Sequence, residues 1–118
     1  YYVNKTEIPE DVISKIPDVS LVYWDYYHRR KTDYANMIKA HKQFNKDIWF
    51  AGGAWTWNGF APSNDISLKT MKPAMDACRE NGVNQIFLTL WGDNGKECSY
   101  FTVLPSLYYI KRLLCLLL

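Results

Sequence analysis

Three short runs rich in aromatic and aliphatic residues punctuate the chain, at 21–26, 48–55 and 85–91. Polar or helix-periodic stretches separate them. The middle run, Ile48-Trp49-Phe50-Ala51-Gly52-Gly53-Ala54-Trp55, is apolar throughout, the pattern of a strand buried on both faces of a parallel sheet. After the first run, Ala35, Met37, Ile38, His41 and Phe44 recur at helical spacing behind Asp33. This predicts a helix capped by Asp33 and ended by Asn45-Lys46. Residues 56–66 read as a loop of Asn, Gly, Pro and Ser. Met71, Ala74, Met75 and Cys78 then mark the inner face of a helix stopped by Asn81-Gly82. Pro73 suits a first turn and not an interior, so that helix is predicted to begin near Thr70. A polar loop over 94–100 leads to a last helix from Phe101 to about Leu114, with Pro105 in its first turn. Residues 1–20 read as a connector with a short helix start near Pro9, and 113–118 as an atypical apolar tail without function.

The order is strand–helix three times over, with a spacing per unit that suits parallel strands joined by helical crossovers. Such units build either a doubly wound sheet or part of an eight-fold barrel. In both, ligands meet the C-terminal strand ends. A nucleotide-binding sheet needs a glycine-rich phosphate turn after its first strand, and none is present. Gly52-Gly53 lies inside a strand run and opens no helix. The fold expected is α/β, a partial (β/α)8 TIM barrel.

Composition narrows the function. The 118 residues are 48% hydrophobic and 22% charged, ordinary for a globular chain. A net charge of +2 with dispersed Lys and Arg argues against a nucleic-acid partner. The closing leucine-rich run is far shorter than the ~20 residues of a membrane span. Cys78, Cys98 and Cys115 fit neither a CxxC pair nor a zinc spacing, and no His pairs with Cys, Asp or Glu to suggest a metal. Neither metal nor cofactor is expected. Free thiols point to a reducing, cytoplasmic compartment. Tyr1 opens without an initiator Met, so an upstream leader stays open, and Asn4-Lys5-Thr6 matches a glycosylation acceptor. His28 and His41 read as structural.

Aromatic residues are the outlier at 16%, and they gather at the strand ends. Tyr23-Trp24-Asp25 and Trp91-Gly92-Asp93 each set a ring and a carboxylate two residues apart, hence on one face of an extended chain. A ring stacks on the C–H face of a sugar, and a carboxylate accepts from its hydroxyls. Trp55, or secondarily Trp57, adds a wall from the middle run. Trp24 and Trp49 then fall on the opposite side and are expected to pack against the helices. Asn94, Glu97 and Ser99 are rim candidates.

With Val22-Tyr23-Trp24-Asp25-Tyr26-Tyr27, Leu90-Trp91-Gly92-Asp93-Asn94-Gly95 and a Trp-rich run between them, the chain resembles family 20 glycoside hydrolases, the β-N-acetylhexosaminidases. The likeness is to the C-terminal part of their catalytic barrel, runs from about Thr6 to Lys111, and would cover strands 6–8 with their helices. It implies partners of two kinds: N-acetylhexosamine-containing glycans, and the N-terminal part of the barrel. By the resemblance, Tyr23 holds the carbonyl oxygen of the substrate's acetamido group as that oxygen attacks the anomeric carbon, a retaining route without a protein nucleophile. Asp25 binds a sugar hydroxyl, Trp91 packs under the sugar, Asp93 takes O4 where the family often has Glu, and Trp55 completes the wall. The family's general-acid Glu follows an Asp on a fourth strand, and no such pair occurs here. Glu10-Asp11 has the wrong order and context. The chain alone is therefore expected to be inactive and marginally stable, with self-association through open barrel edges. The competing reading is a non-catalytic carbohydrate-binding α/β module.

Overall fold

A computed structural model describes residues 7–93 and 97–115; Asn4 of the acceptor triplet, the rim candidate Asn94 and the last three leucines lie outside them. Strands β1 (Leu21–Trp24), β2 (Ile48–Gly53) and β3 (Gln85–Thr89) form one parallel sheet in the order β1-β2-β3. Tyr23 pairs with Phe50 across the first ladder, and Phe50 with Ile86 across the second. A short helix α1 (Glu10–Ile13) precedes β1, as Pro9 suggests. Helix α2 (Lys31–Lys42) joins β1 to β2, and α3 (Asn64–Glu80) joins β2 to β3. A 3-10 turn over Tyr100–Val103 leads into α4 (Leu104–Cys115), whose second residue is Pro105. The architecture is mixed α/β with a small parallel sheet. Each strand stops two residues short of its predicted limit, at Trp24, Gly53 and Thr89. Tyr26, Trp55 and Trp91 consequently sit in the loops that leave the sheet.

Helices α2, α3 and α4 cover one face. Tyr23 and Phe50 from the sheet meet Tyr34 and Ile38 of α2, Met71, Ala74, Met75 and Cys78 of α3, and Ile110 of α4 in a single core. Burying a side chain the size of Phe50 or Met71 contributes about 1.5–3 kcal/mol, so this cluster holds the unit together. Gly52 faces the same side, where an added Cβ would collide with the Met71 thioether. The missing side chain lets α3 lie close on β2.

Several expectations need correction. Helix α3 starts at Asn64, not near Thr70, and carries Pro73 in its interior. A proline there costs about 3 kcal/mol, but the helix buries seven residues, Met71 and Met75 among them, and that burial outweighs the loss. Its end is as predicted: Gly82 adopts φ +68, Gly82 N–H donates to the Arg79 carbonyl and Val83 N–H to the Cys78 carbonyl, a Schellman closure. Helix α2 begins at Lys31, so Asp33 lies in its first turn, where it accepts both Arg30 guanidinium bonds at 2.9 and 3.0 Å. Leu113 and Leu114 are not a detached tail; they belong to α4 and pack on the core. Trp24 and Trp49 do not face the helices. They lie with Val22, Ala51, Phe87 and Thr89 on the opposite side of the sheet, and Trp24 is 62% exposed.

Cys78 is fully buried, and burial pushes its thiol up to about 12. The folded state thus binds that proton more tightly than the unfolded chain. Its stabilising contribution is complete below the ordinary thiol value of 9.0 and is lost as pH climbs from there toward 12. At pH 8 an alkylating reagent should leave Cys78 unmodified in the folded chain and label it fully in denaturant. Mass mapping of the labelled peptides checks this, and labelling at equal rates in both states refutes it.

Candidate functional site

The turn after β1 is built around one buried carboxylate. Asp25, 7% exposed, directs its backbone N–H to the Ala51 carbonyl, continuing the ladder one residue beyond Trp24. Its Oδ2 accepts the Tyr23 hydroxyl at 2.7 Å and the His28 Nδ1, and its Oδ1 accepts the backbone N–H groups of Tyr27 at 2.9 Å and His28 at 3.4 Å. An Asp side chain folding back on its own downstream backbone is standard turn chemistry. Two further donors hold the turn's carbonyls: Tyr34 Oη bonds to the His28 oxygen at 2.7 Å and Trp55 Nε1 to the Tyr26 oxygen at 3.0 Å. The Tyr23 phenol is raised far above its usual range, by burial first and then by the Asp25 carboxylate it donates to.

This turn projects Tyr26 and Tyr27 over the uncovered face of the sheet. There a cavity of about 620 Å³ opens above the C-terminal strand ends, within the size range of small-ligand sites. Its wall is aromatic, with Trp24, Tyr26, Tyr27, Trp57, Phe87 and Trp91, and Asp93 brings a carboxylate. The rings support one another. Trp55 and Trp57 stack at 4.6 Å, Tyr26 meets Trp57 edge-on at 5.2 Å, and Tyr27 stands perpendicular to Trp55 at 5.4 Å. Trp91 Nε1 donates to Tyr26 Oη at 2.8 Å, and Thr56 Oγ1 donates to the Trp91 carbonyl at 2.9 Å. Burial raises the Tyr26 phenol, and the indole donor partly offsets it. Gly53 makes the floor possible: a Cβ there would lie 2.8 Å from Trp57 Cη2 and 2.9 Å from Tyr26 Cγ.

The structure brings Trp91 and Asp93 to this cavity and leaves Tyr23, Asp25 and Trp55 behind its wall. Tyr23 points into the helix-side core, 4% exposed, and both oxygens of Asp25 are occupied by the turn. The expectation that these two face a ligand is corrected here. Residues two apart do share a face, but on β1 the open face belongs to Val22 and Trp24, with Tyr26 following them into the pocket. Trp55 is buried behind Trp57, which takes the wall position instead. Tyr26, Tyr27 and Trp24 were missed as pocket residues; the density of rings around Asp25 was their only signal. His28 is more than loop filling, since it grips Asp25, and His41 bonds to the Met37 carbonyl and lies tilted against the Tyr23 ring at 5.0 Å. Among the described residues no group of three His, Cys, Asp or Glu could hold a metal ion, and no helix is long and apolar enough to cross a membrane. Compared with protein-family models and with curated proteins, the chain matches none.

Proposed function

We propose that this chain forms the sugar-binding wall of a β-N-acetylhexosaminidase, as the last three βα units of a (β/α)8 barrel. The observation that supports it best is the aromatic cavity with its single carboxylate, Asp93, above the C-terminal ends of three parallel strands. A barrel uses that end for its ligands and fills the uncovered face of its sheet with side chains. The outer edges of β1 and β3 are the seams along which further βα units would pair. In this reading Trp91 and Trp57 stack on the sugar, and Asp93 accepts from a hydroxyl. Tyr26 offers the phenol on the pocket side in place of Tyr23. Its oxygen accepts from Trp91, which leaves its own proton to hold the acetamido oxygen in line with the anomeric carbon before attack. The general acid would come from outside these 118 residues, in the remaining units of the barrel.

The test is a pair of titrations followed by tryptophan fluorescence, using an aryl β-N-acetylglucosaminide and the matching β-glucoside, which lacks the acetamido group. Saturable binding of the first, about tenfold tighter than the second, is expected, the effect of about one hydrogen bond with its apolar contact. No cleavage should occur with the chain alone. Fusion to polypeptide encoded upstream should restore hydrolysis and make it depend on an upstream Asp-Glu pair. Binding without any activity in the fused protein would favour the carbohydrate-binding module, and equal affinity for both glycosides would remove the hexosamine assignment.

A further inference from the structure

The geometry points to His28 as a positioning residue: acting through Asp25, it sets the turn that holds Tyr26 against Trp91 and so shapes the pocket from outside it. His28 does not line the cavity. It sits beyond the turn with its side chain 50% exposed, edge-on to the Tyr34 ring at 5.9 Å. Its Nδ1 bonds to Asp25 Oδ2, the same oxygen that receives the Tyr23 hydroxyl. A carboxylate only accepts, so Nδ1 carries the proton whether the ring is neutral or charged. The groups around it are few: Asp25 in its own turn, Tyr23 on β1, and Tyr34 with the nearby carboxylate of Asp33 on α2.

What the bond controls follows from the connections on the other side. Asp25 Oδ1 holds the Tyr27 backbone, and between these two anchored residues stands Tyr26. Its carbonyl meets the Trp55 indole and its hydroxyl the Trp91 indole. Without the imidazole, Oδ2 keeps only the phenol, and three donors instead of four hold the carboxylate against rotation about its bond to Cβ. Oδ1 then loses alignment with the two amides, the turn relaxes, and Tyr26 moves relative to Trp55 and Trp91. The core beneath remains: its member Tyr34 meets His28 only at the ring edge and through the backbone carbonyl, which the substitution keeps.

The experiment is ¹H–¹⁵N correlation spectroscopy of the chain and of two variants, reading the indole N–H signals of Trp55 and Trp91. His28→Ala removes the donor. His28→Asn returns an amide N–H to the place of Nδ1 and is the rescue. In His28→Ala both indole signals should move or broaden while the backbone amides of Ile38, Met75 and Ile110 stay in place. In His28→Asn they should return toward wild type. Affinity for the aryl β-N-acetylglucosaminide should fall about tenfold in the alanine variant, the scale of one charge-assisted hydrogen bond, and recover in the asparagine one. Unmoved indole signals in His28→Ala overturn the inference, as does an asparagine variant no better than alanine. The affinity readout rests on the carbohydrate reading, but the indole signals do not. A wild-type chain that binds no sugar, yet shows the indole shifts and their rescue, keeps the positioning role and loses the carbohydrate reading.

Discussion

Gly53→Val should erase ligand binding while leaving a folded chain. The added Cβ alone meets Trp57 and Tyr26 at 2.8 and 2.9 Å, closer than carbon atoms approach without displacement, and valine adds two methyl groups beyond it. Neither ring can retreat easily. Tyr26 is fixed by the two indole bonds, and Trp57 is stacked on Trp55. Overpacking of this kind costs about 1–3 kcal/mol, which a marginal domain of 5–15 kcal/mol can survive. The displaced rings close or distort the cavity they line. Gly52→Ala is the control from the other face of the same strand. Its methyl meets the Met71 thioether and the end of Leu88, the far ends of flexible side chains that can give way. Circular dichroism should find both variants folded, and the fluorescence titration should find binding only in Gly52→Ala. Wild-type affinity in Gly53→Val would show that the aromatic cavity is not the site.

Periodicity and turn chemistry located the elements but not the faces. The strand starts at Leu21, Ile48 and Gln85, the Asn81-Gly82 stop and the place of Pro105 were all legible, because each follows from local residue chemistry. The face of β1 was not. Leu21, Val22, Tyr23 and Trp24 are apolar at every position, so alternation ties Tyr23 to Asp25 without saying which side they take. Tertiary packing decides it: α2 and α3 present Tyr34, Ile38 and Met71 to the Tyr23 side. A polar residue at 22 or 24 would have revealed the answer. On β3 the same rule worked, since Thr89 breaks the apolar run on the side that leads to Trp91 and Asp93. The early start of α3 was hidden for a different reason. Local preference at Pro73 opposes the helix, and only the buried stripe from Ser67 to Cys78 overrides it.

On the hexosaminidase reading proposed above, the two tyrosines of the first strand end give the sharpest test, in a protein that would complete the barrel. Tyr26→Phe keeps the ring against Gly53 and Trp57 and removes only the hydroxyl. If that hydroxyl donates to the acetamido oxygen, it holds the oxygen in line with the anomeric carbon, and its loss, by misplacing the nucleophile, acts mainly on kcat. Turnover should fall by about 10²-fold, the scale of a reacting atom misplaced by about 1 Å. Tyr23→Phe should do the opposite. It removes the 2.7 Å bond to Asp25, costs about 1.5–3 kcal/mol as a hydrogen bond to a charged acceptor, and lowers Tm. Because His28 holds the same Asp25 oxygen, any effect on the pocket appears as a raised KM, as for His28→Ala, with kcat within a few-fold of wild type. Steady-state kinetics with an aryl β-N-acetylglucosaminide, alongside thermal melts, measure both. A large kcat loss in Tyr23→Phe with an indifferent Tyr26→Phe would reverse the face of β1 in that completed protein. Losses in Tm alone for both variants would assign the two phenols to the framework and leave Trp91 and Asp93 to carry the sugar.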